Sequence, residues 1–300
     1  MSDFAAQLRS YQQAINDDIA LYVAHVKTVT KQQYGEYPTA VTREYLDLLT
    51  RGGKRIRGAL VICGYEMLGG TDKAMITRAA TALEMLHASL LVIDDIQDQD
   101  VERRGKPAVH VALAEYHKKL KMSGNPKVTG ISLALNAALT GSHAMQVLLA
   151  GLEVDPELKI KVIGIVNNTI VLTLHGQTYD IINAGLKTPK PEDVDRATEW
   201  KSAHYTFLNP LCVGMVLAGA GCEDTNAIRD YALNTGIAFQ LADDIMDGDV
   251  KPLDVPQVRR LAQEHIHHAL CALQTIDRDW DQGSKQFLHD LAEFAVKRTQ

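Results

Sequence analysis

Glu84-Met85-Leu86-His87-Ala88-Ser89-Leu90-Leu91-Val92-Ile93-Asp94-Asp95-Ile96-Gln97-Asp98 is the stretch whose reading decides how this chain folds. Upstream and within it, between Thr77 and Ile96, apolar residues recur at Leu83, Leu86, Leu90 and Ile93, in steps of three or four, which predicts an amphipathic helix. That helix runs into three carboxylates, Asp94, Asp95 and Asp98. The same ending returns later, where Ile237-Ala238-Phe239-Gln240-Leu241-Ala242 leads into Asp243-Asp244-Ile245-Met246-Asp247. Both endings read D-D-x-x-D, and the apolar residues before them put the carboxylates at the rim of a cavity. Working outward, Glu157 to Ile182 predicts another helix, with Asp155 as N-cap and Pro156 at the first position. Thr225 to Met246 and Gln257 to Ile276 predict two more. Breaks fall at Ser123 to Pro126, Lys187 to Pro191 and Gly248 to Pro256. Strand signals are nearly absent. The expectation is an all-α, single-domain bundle of roughly ten or more helices around a central cavity, spanning residues 1–300.

Composition agrees. The chain has 300 residues, 46% of them hydrophobic, which excludes a disordered tail. Aromatics at 6%, with 21 Gly and 9 Pro, argue against a propeller, a β-sandwich or a collagen-like chain. A net charge of −6 speaks against a general nucleic-acid binder. The apolar stretches, such as Leu211 to Cys222, fall short of the ~20 residues of a spanning helix, so no transmembrane segment is expected. Met1-Ser2-Asp3-Phe4 has neither a basic start nor an apolar core, and a cytoplasmic protein is expected. Cys63, Cys212, Cys222 and Cys271 form no C-x-x-C pair and are expected to be reduced core thiols.

The acidic clusters are the strongest chemical signal. On a helix, positions i and i+4 share a face about 6 Å apart along the axis, so Asp94 and Asp98 point the same way with Asp95 beside them. Three carboxylates at the negative pole of a helix repel one another, and no fold gains stability from that. A hard divalent cation relieves it: Mg²⁺ takes a few carboxylates together with phosphate oxygens and waters. One such cluster alone reads more readily as a solvated acidic face; two copies, each after an apolar helix, do not. Cations accompany them. Gly52-Gly53-Lys54-Arg55-Ile56-Arg57 puts Lys54 and Arg57 a turn apart, and Arg103-Arg104-Gly105 lies just past the first cluster.

With these residues in place, the chain resembles the trans-isoprenyl diphosphate synthase (polyprenyl synthetase) family, from Gly52 to Asp247. The resemblance also runs through Gly176-Gln177-Thr178-Tyr179-Asp180 and Lys201-Ser202. It implies the isoprenoid synthase fold, a homodimer, and condensation of isopentenyl diphosphate with an allylic diphosphate to an all-trans product. It further implies Mg²⁺ held by Asp94, Asp98 and Asp243, with Asp95, Asp244 and Asp247 completing the two clusters. Lys54, Arg57, His87 and Arg104 would hold isopentenyl diphosphate without metal. Arg103 and Lys201 would serve the allylic diphosphate, and Gln177 belongs to the substrate-binding set. The Lys201 carbonyl, Ser202 hydroxyl and Gln240 amide would face the allylic cation.

Three departures from the family pattern stand out. Gly58 ends a motif that usually ends in proline, Ser202 replaces threonine, and Gly248 to Pro256 replaces a Gly- and Lys-rich flap, with Lys251 the one lysine near its place. The missing flap keeps a second reading open, a catalytically weak or regulatory subunit of a hetero-oligomeric synthase. A terpene cyclase is a third, opposed by the second D-D-x-x-D. Product length would be set by Ser89 with Leu90 beside it, then Leu86 and Leu83, one turn apart before Asp94. The small Ser89 points to a geranylgeranyl or longer product.

Overall fold

The computed structural model describes residues 2–248 and 254–297; the side chains of 2, 3 and 247 are outside that description. Thirteen α-helices are described: α1 (Ser2–Tyr34), α2 (Glu36–Thr50), α3 (Ile56–Met67), α4 (Lys73–Gln97), α5 (Val109–Lys119), α6 (Pro126–Ala150), α7 (Pro156–Gly185), α8 (Pro191–Ala197), α9 (Asn209–Leu217), α10 (Cys222–Ala227), α11 (Arg229–Asp247), α12 (Val255–Thr275) and α13 (Gln282–Lys297). Between α8 and α9 the residues Thr198–Leu208 form a π-helix. The only strands among the described residues are β1 (Glu102–Arg103) and β2 (Lys106–Pro107), paired antiparallel. The all-α expectation holds, and α4 and α7 lie where the apolar periodicity put them.

Local chemistry sets the helix starts. Asp155 accepts the Glu157 N–H at 2.8 Å ahead of Pro156, as the sequence predicts. Asn125 caps α6 in the same way. Two expectations shift. Thr225 to Met246 is two helices, α10 and α11. Pro256 starts a helix rather than ending a break, because Asp254 and Gln257 form a reciprocal capping box.

The chain divides into two compact units. The first comprises residues 1–10, 59–76 and 153–300, the second residues 11–58 and 77–152, so α1, α3 and α4 contribute to both. In the first unit α11 packs on α12, α13 and the π-helix. Tyr231, fully buried, donates to the Leu288 carbonyl at 2.6 Å, and Phe4 meets Phe287 at 5.2 Å between ring centres. In the second unit α6 packs on α2 and α5. There Tyr45 donates to the Met85 carbonyl at 2.7 Å, tying α2 to α4.

The apolar helices are longer than expected, and two of the cysteines lie elsewhere than expected. By length and composition α4, α6 and α7 are each long and apolar enough to cross a membrane. Length and composition alone are not evidence that they do; the most apolar window of α4 is two-thirds buried inside the protein, that of α6 a third and that of α7 17%. Cys63 and Cys212 are core thiols, but Cys222 and Cys271 are exposed.

Candidate active site

In the second unit the site is built around the end of α4. The helix closes with Asp98 and Asp100 donating their N–H groups back to the Asp94 and Asp95 carbonyls. Arg104 and Gly105 then both take positive φ, at 54° and 73°, the two-residue turn that suits a twisted hairpin. The hairpin carries Arg103 back onto the carboxylates. Its Nε donates to Asp95 Oδ1 at 2.6 Å, and Nη2 pairs with Asp95, with Asp100 at 2.8 Å and with Asp94 at 3.8 Å. Asp95 is fully buried. Burial pushes its carboxyl above the ordinary range, against the pull of Arg103. Asp94 remains partly open and Asp98 is exposed. Three similar aspartates in sequence therefore become one structural and two accessible ones.

The cations gather beside this. Gly52 and Gly53, at φ 83° and 132°, present backbone to Arg104, which donates to the Gly52 carbonyl. A Cβ at Gly53 would sit 3.0 Å from the Arg104 guanidinium, so the glycine pair makes room for that arginine. Lys54 is exposed and Arg57 half-buried. Arg55 is instead a core residue, bound to Glu84 at 3.2 Å, to Asn16 and to the Leu49 carbonyl. Burial, then the charges of Arg57, Arg104, Arg55 and Arg103, hold His87 well below the ordinary histidine range, so it is neutral at pH 7. The Gly58 departure has its reason here. Its N–H donates to Glu84 Oε1 at 3.0 Å, which a proline cannot do.

The first unit holds the remaining residues. Gly176 and Gly236 lie so close to the backbone of the π-helix, at Lys201 and Ala203, that neither has room for a Cβ. Lys201 Nζ pairs with Asp180 at 2.5 Å. Ser202 Oγ donates to Gln240 Oε1 at 2.6 Å, and Gln240 Nε2 donates to Asp244 Oδ1 at 2.7 Å. This chain fixes the amide and leaves the lone pairs of the serine oxygen available. The serine hydroxyl makes the link without the methyl of a threonine. Gln177 is buried, Asp243 and Asp244 are half-buried, and the Asp247 side chain and Lys251 lie outside the described residues.

Several of these partners were not singled out from the sequence: Asp180, Glu84, Arg55 and Arg51. Asp180 was within reach, three residues after Gln177 in the quoted motif. Arg51 steadies the hairpin, donating to the Arg103 and Pro107 carbonyls at 2.9 and 3.1 Å. Of the product-length residues, Leu83, Leu86 and Ser89 are buried and Leu90 half-buried. Ser89 donates to the Met85 carbonyl at 3.1 Å and lies against Gly141 of α6.

Among the described residues no three metal-ligating side chains converge. Asp94 with Asp98, and Asp243, nevertheless offer hard oxygen donors one or two at a time. That is the donor set Mg²⁺ accepts when phosphates and water fill the rest of its octahedron, so the residues fit that ion.

The chain matches the polyprenyl synthetase family over residues 38–255, and it belongs to that family. It is 30% identical to a geranylgeranyl diphosphate synthase of Sulfolobus acidocaldarius, over 85% of this chain and 70% of that one. It is 31% identical to a short chain isoprenyl diphosphate synthase of Methanocaldococcus jannaschii, over 83% of this chain and 70% of the relative. In fold it is similar to the crystal structure of geranylgeranyl pyrophosphate synthase from Corynebacterium glutamicum complexed with isoprenyl diphosphate and magnesium. The TM-score there is 0.88 at 20% identity, covering 97% of this chain and 99% of that one.

Proposed function

We propose that the protein is a prenyltransferase that joins isopentenyl diphosphate to an allylic prenyl diphosphate, giving an all-trans prenyl diphosphate of geranylgeranyl length or longer. The observation that carries this reading is the separation of roles among like residues. The first D-D-x-x-D keeps Asp94 and Asp98 accessible and the second keeps Asp243 partly so, while Arg57 and Arg104 set their charges beside a neutral His87 and Lys54 is exposed nearby in the sequence. One diphosphate would be met through metal and the other by bare cations. Family membership and the names of the relatives support the same activity.

Asp94, Asp98 and Asp243 would hold Mg²⁺. When bound, the metal neutralises the leaving diphosphate so that the allylic carbon–oxygen bond can ionise. The rest falls to side chains of this protein. Lys201, steered by Asp180, supplies a further cation to the allylic diphosphate. Ser202, held by Gln240, turns an oxygen lone pair toward the developing carbocation, and Gln240 is itself held by Asp244. Lys54, Arg57 and Arg104 orient isopentenyl diphosphate, with His87 neutral among them, so that its double bond attacks. The proton then lost goes to the departed diphosphate, and no protein base is required.

A single catalytic domain fits the three helices shared by both units. A homodimer fits the exposed apolar side chains of α6 (Val128, Leu135, Leu139) and of α7 (Ile160, Val171, Leu174). A cytoplasmic location fits four free cysteines. The test is direct: purified protein, Mg²⁺, labelled isopentenyl diphosphate and each allylic primer, with the products sized. Chain elongation is expected; no product with any primer would overturn the reading.

A further inference from the structure

A cavity of about 620 Å³ opens in the first unit among α7, the π-helix, α9, α10 and the start of α11. It is not the catalytic face of α7. Asn168, in its wall, precedes Gln177 by nine residues, two and a half helical turns, and so lies on the opposite side of that helix. Its walls are apolar, with Ile165, Leu172, Leu208 and Val216. Asn209 also lines it, and the asparagine is 2% exposed with neither polar atom of its amide partnered. A buried amide left without hydrogen bonds is destabilising, and a bound polar group would relieve that. Lys161 and Arg229 complete the charge of the lining, which contains no carboxylate, in a protein whose net charge is −6. Lys161 pairs with Glu157 across an exposed contact at 2.8 Å, a weak hold that a stronger anion can displace.

We infer that this cavity is a second binding site, outside the catalytic centre, for an apolar chain with an anionic head. The occupant is a prenyl diphosphate; that choice rests on the proposed activity, whereas the cavity and its charge do not. The volume falls within the roughly 300–1,000 Å³ typical of small-molecule sites. The chain packs on the leucine and isoleucine walls, the Asn209 amide donates to a head-group oxygen, and Arg229 pairs with the diphosphate.

Cys222 supplies the test, because it is exposed and lines the cavity, while Cys271 is exposed elsewhere. The whole protein is alkylated with N-ethylmaleimide in EDTA, which strips metal from the catalytic clusters, and each cysteine is followed by peptide mass spectrometry. Geranylgeranyl diphosphate is expected to slow labelling of Cys222 several-fold and leave Cys271 unchanged, in the native chain and in Asp94→Ala alike. Geranylgeraniol and inorganic diphosphate, each carrying half of the ligand, are expected to protect less at equal concentration. Arg229→Glu, an exposed and foldable change, is expected to raise the concentration for half-protection roughly tenfold or more, with chain elongation retained. Unchanged Cys222 labelling, or equal protection by inorganic diphosphate alone, would overturn the inference. Elongation without protection defeats the second site and leaves the activity standing; protection without elongation does the reverse.

Discussion

The two D-D-x-x-D segments are nearly the same in sequence and differ in what holds their second aspartate. Asp95 is fully buried and bound by the Arg103 guanidinium, which a hairpin returns to it. Asp244 is half-buried and accepts from the neutral Gln240 amide, at the end of a relay from Ser202. In each copy the second carboxylate fixes a neighbour, and the carboxylates proposed to meet metal are the outer ones. The repetition in sequence is therefore one of outer carboxylates, while the interior partner is free to differ. At the first cluster it organises cations; at the second it orients a dipole.

The comparison breaks most sharply at the outer carboxylates. Asp94→Ala and Asp243→Ala are each expected to lower turnover at least ~100-fold, because each removes a ligand for charge developing in the transition state. Near-normal turnover in either would mean that the two edges do not act together. Next come the cations. Arg57→Ala should raise KM for isopentenyl diphosphate more than KM for the primer, and Lys201→Ala the reverse. The loss of a charge-assisted hydrogen bond makes each shift roughly ten- to a hundredfold. Equal shifts for both substrates would erase the division of labour.

The inner aspartates give a smaller effect and a sharper contrast. Asp95→Asn leaves Arg103 underpaired and should cost about 1–3 kcal/mol in urea unfolding, toward the lower end because Arg103 is partly exposed. Asp244→Asn keeps an acceptor for Gln240 and should cost less than about 0.5 kcal/mol. Equal losses would show that the partner's charge is immaterial. The last effect is the pH response of His87. Its folded-state pKa is held below the ordinary value, so as pH falls below about 6.5 the unfolded chain takes up a proton that the folded protein refuses. Stability is retained above that pH and falls by at most about 1.4 kcal/mol per unit below it. His87→Gln should flatten this part of the profile, read from urea midpoints at pH 5.5 and 7.5.

The helices and both acidic clusters were legible because apolar spacing and charge repetition are local properties. The partners were not. Glu84 and Arg55 stand 29 residues apart, and nothing in their spacing says that one buried carboxylate will hold both that guanidinium and the Gly58 N–H. Arg103 read as a substrate ligand from its place in a motif; its capture of Asp95 and Asp100 depends on a hairpin turned by a left-handed Arg104, a residue type that rarely marks such a turn. The exposure of Cys222 and Cys271 was missed because thiols are usually buried and composition alone carries no address.

The π-helical run from Thr198 to Leu208 also acts as a phase setter. Its backbone bonds reach five residues back, as from the Asn209 N–H to the His204 carbonyl, so each turn takes in one residue more than an α-turn. Side chains beyond it point where an unbroken α-helix would not send them. Ser202, within the run, is thereby set in angle against Asn209 and Cys212 just past it. Deleting one residue between Ser202 and Asn209 would turn one of these side chains by about 100° against the other.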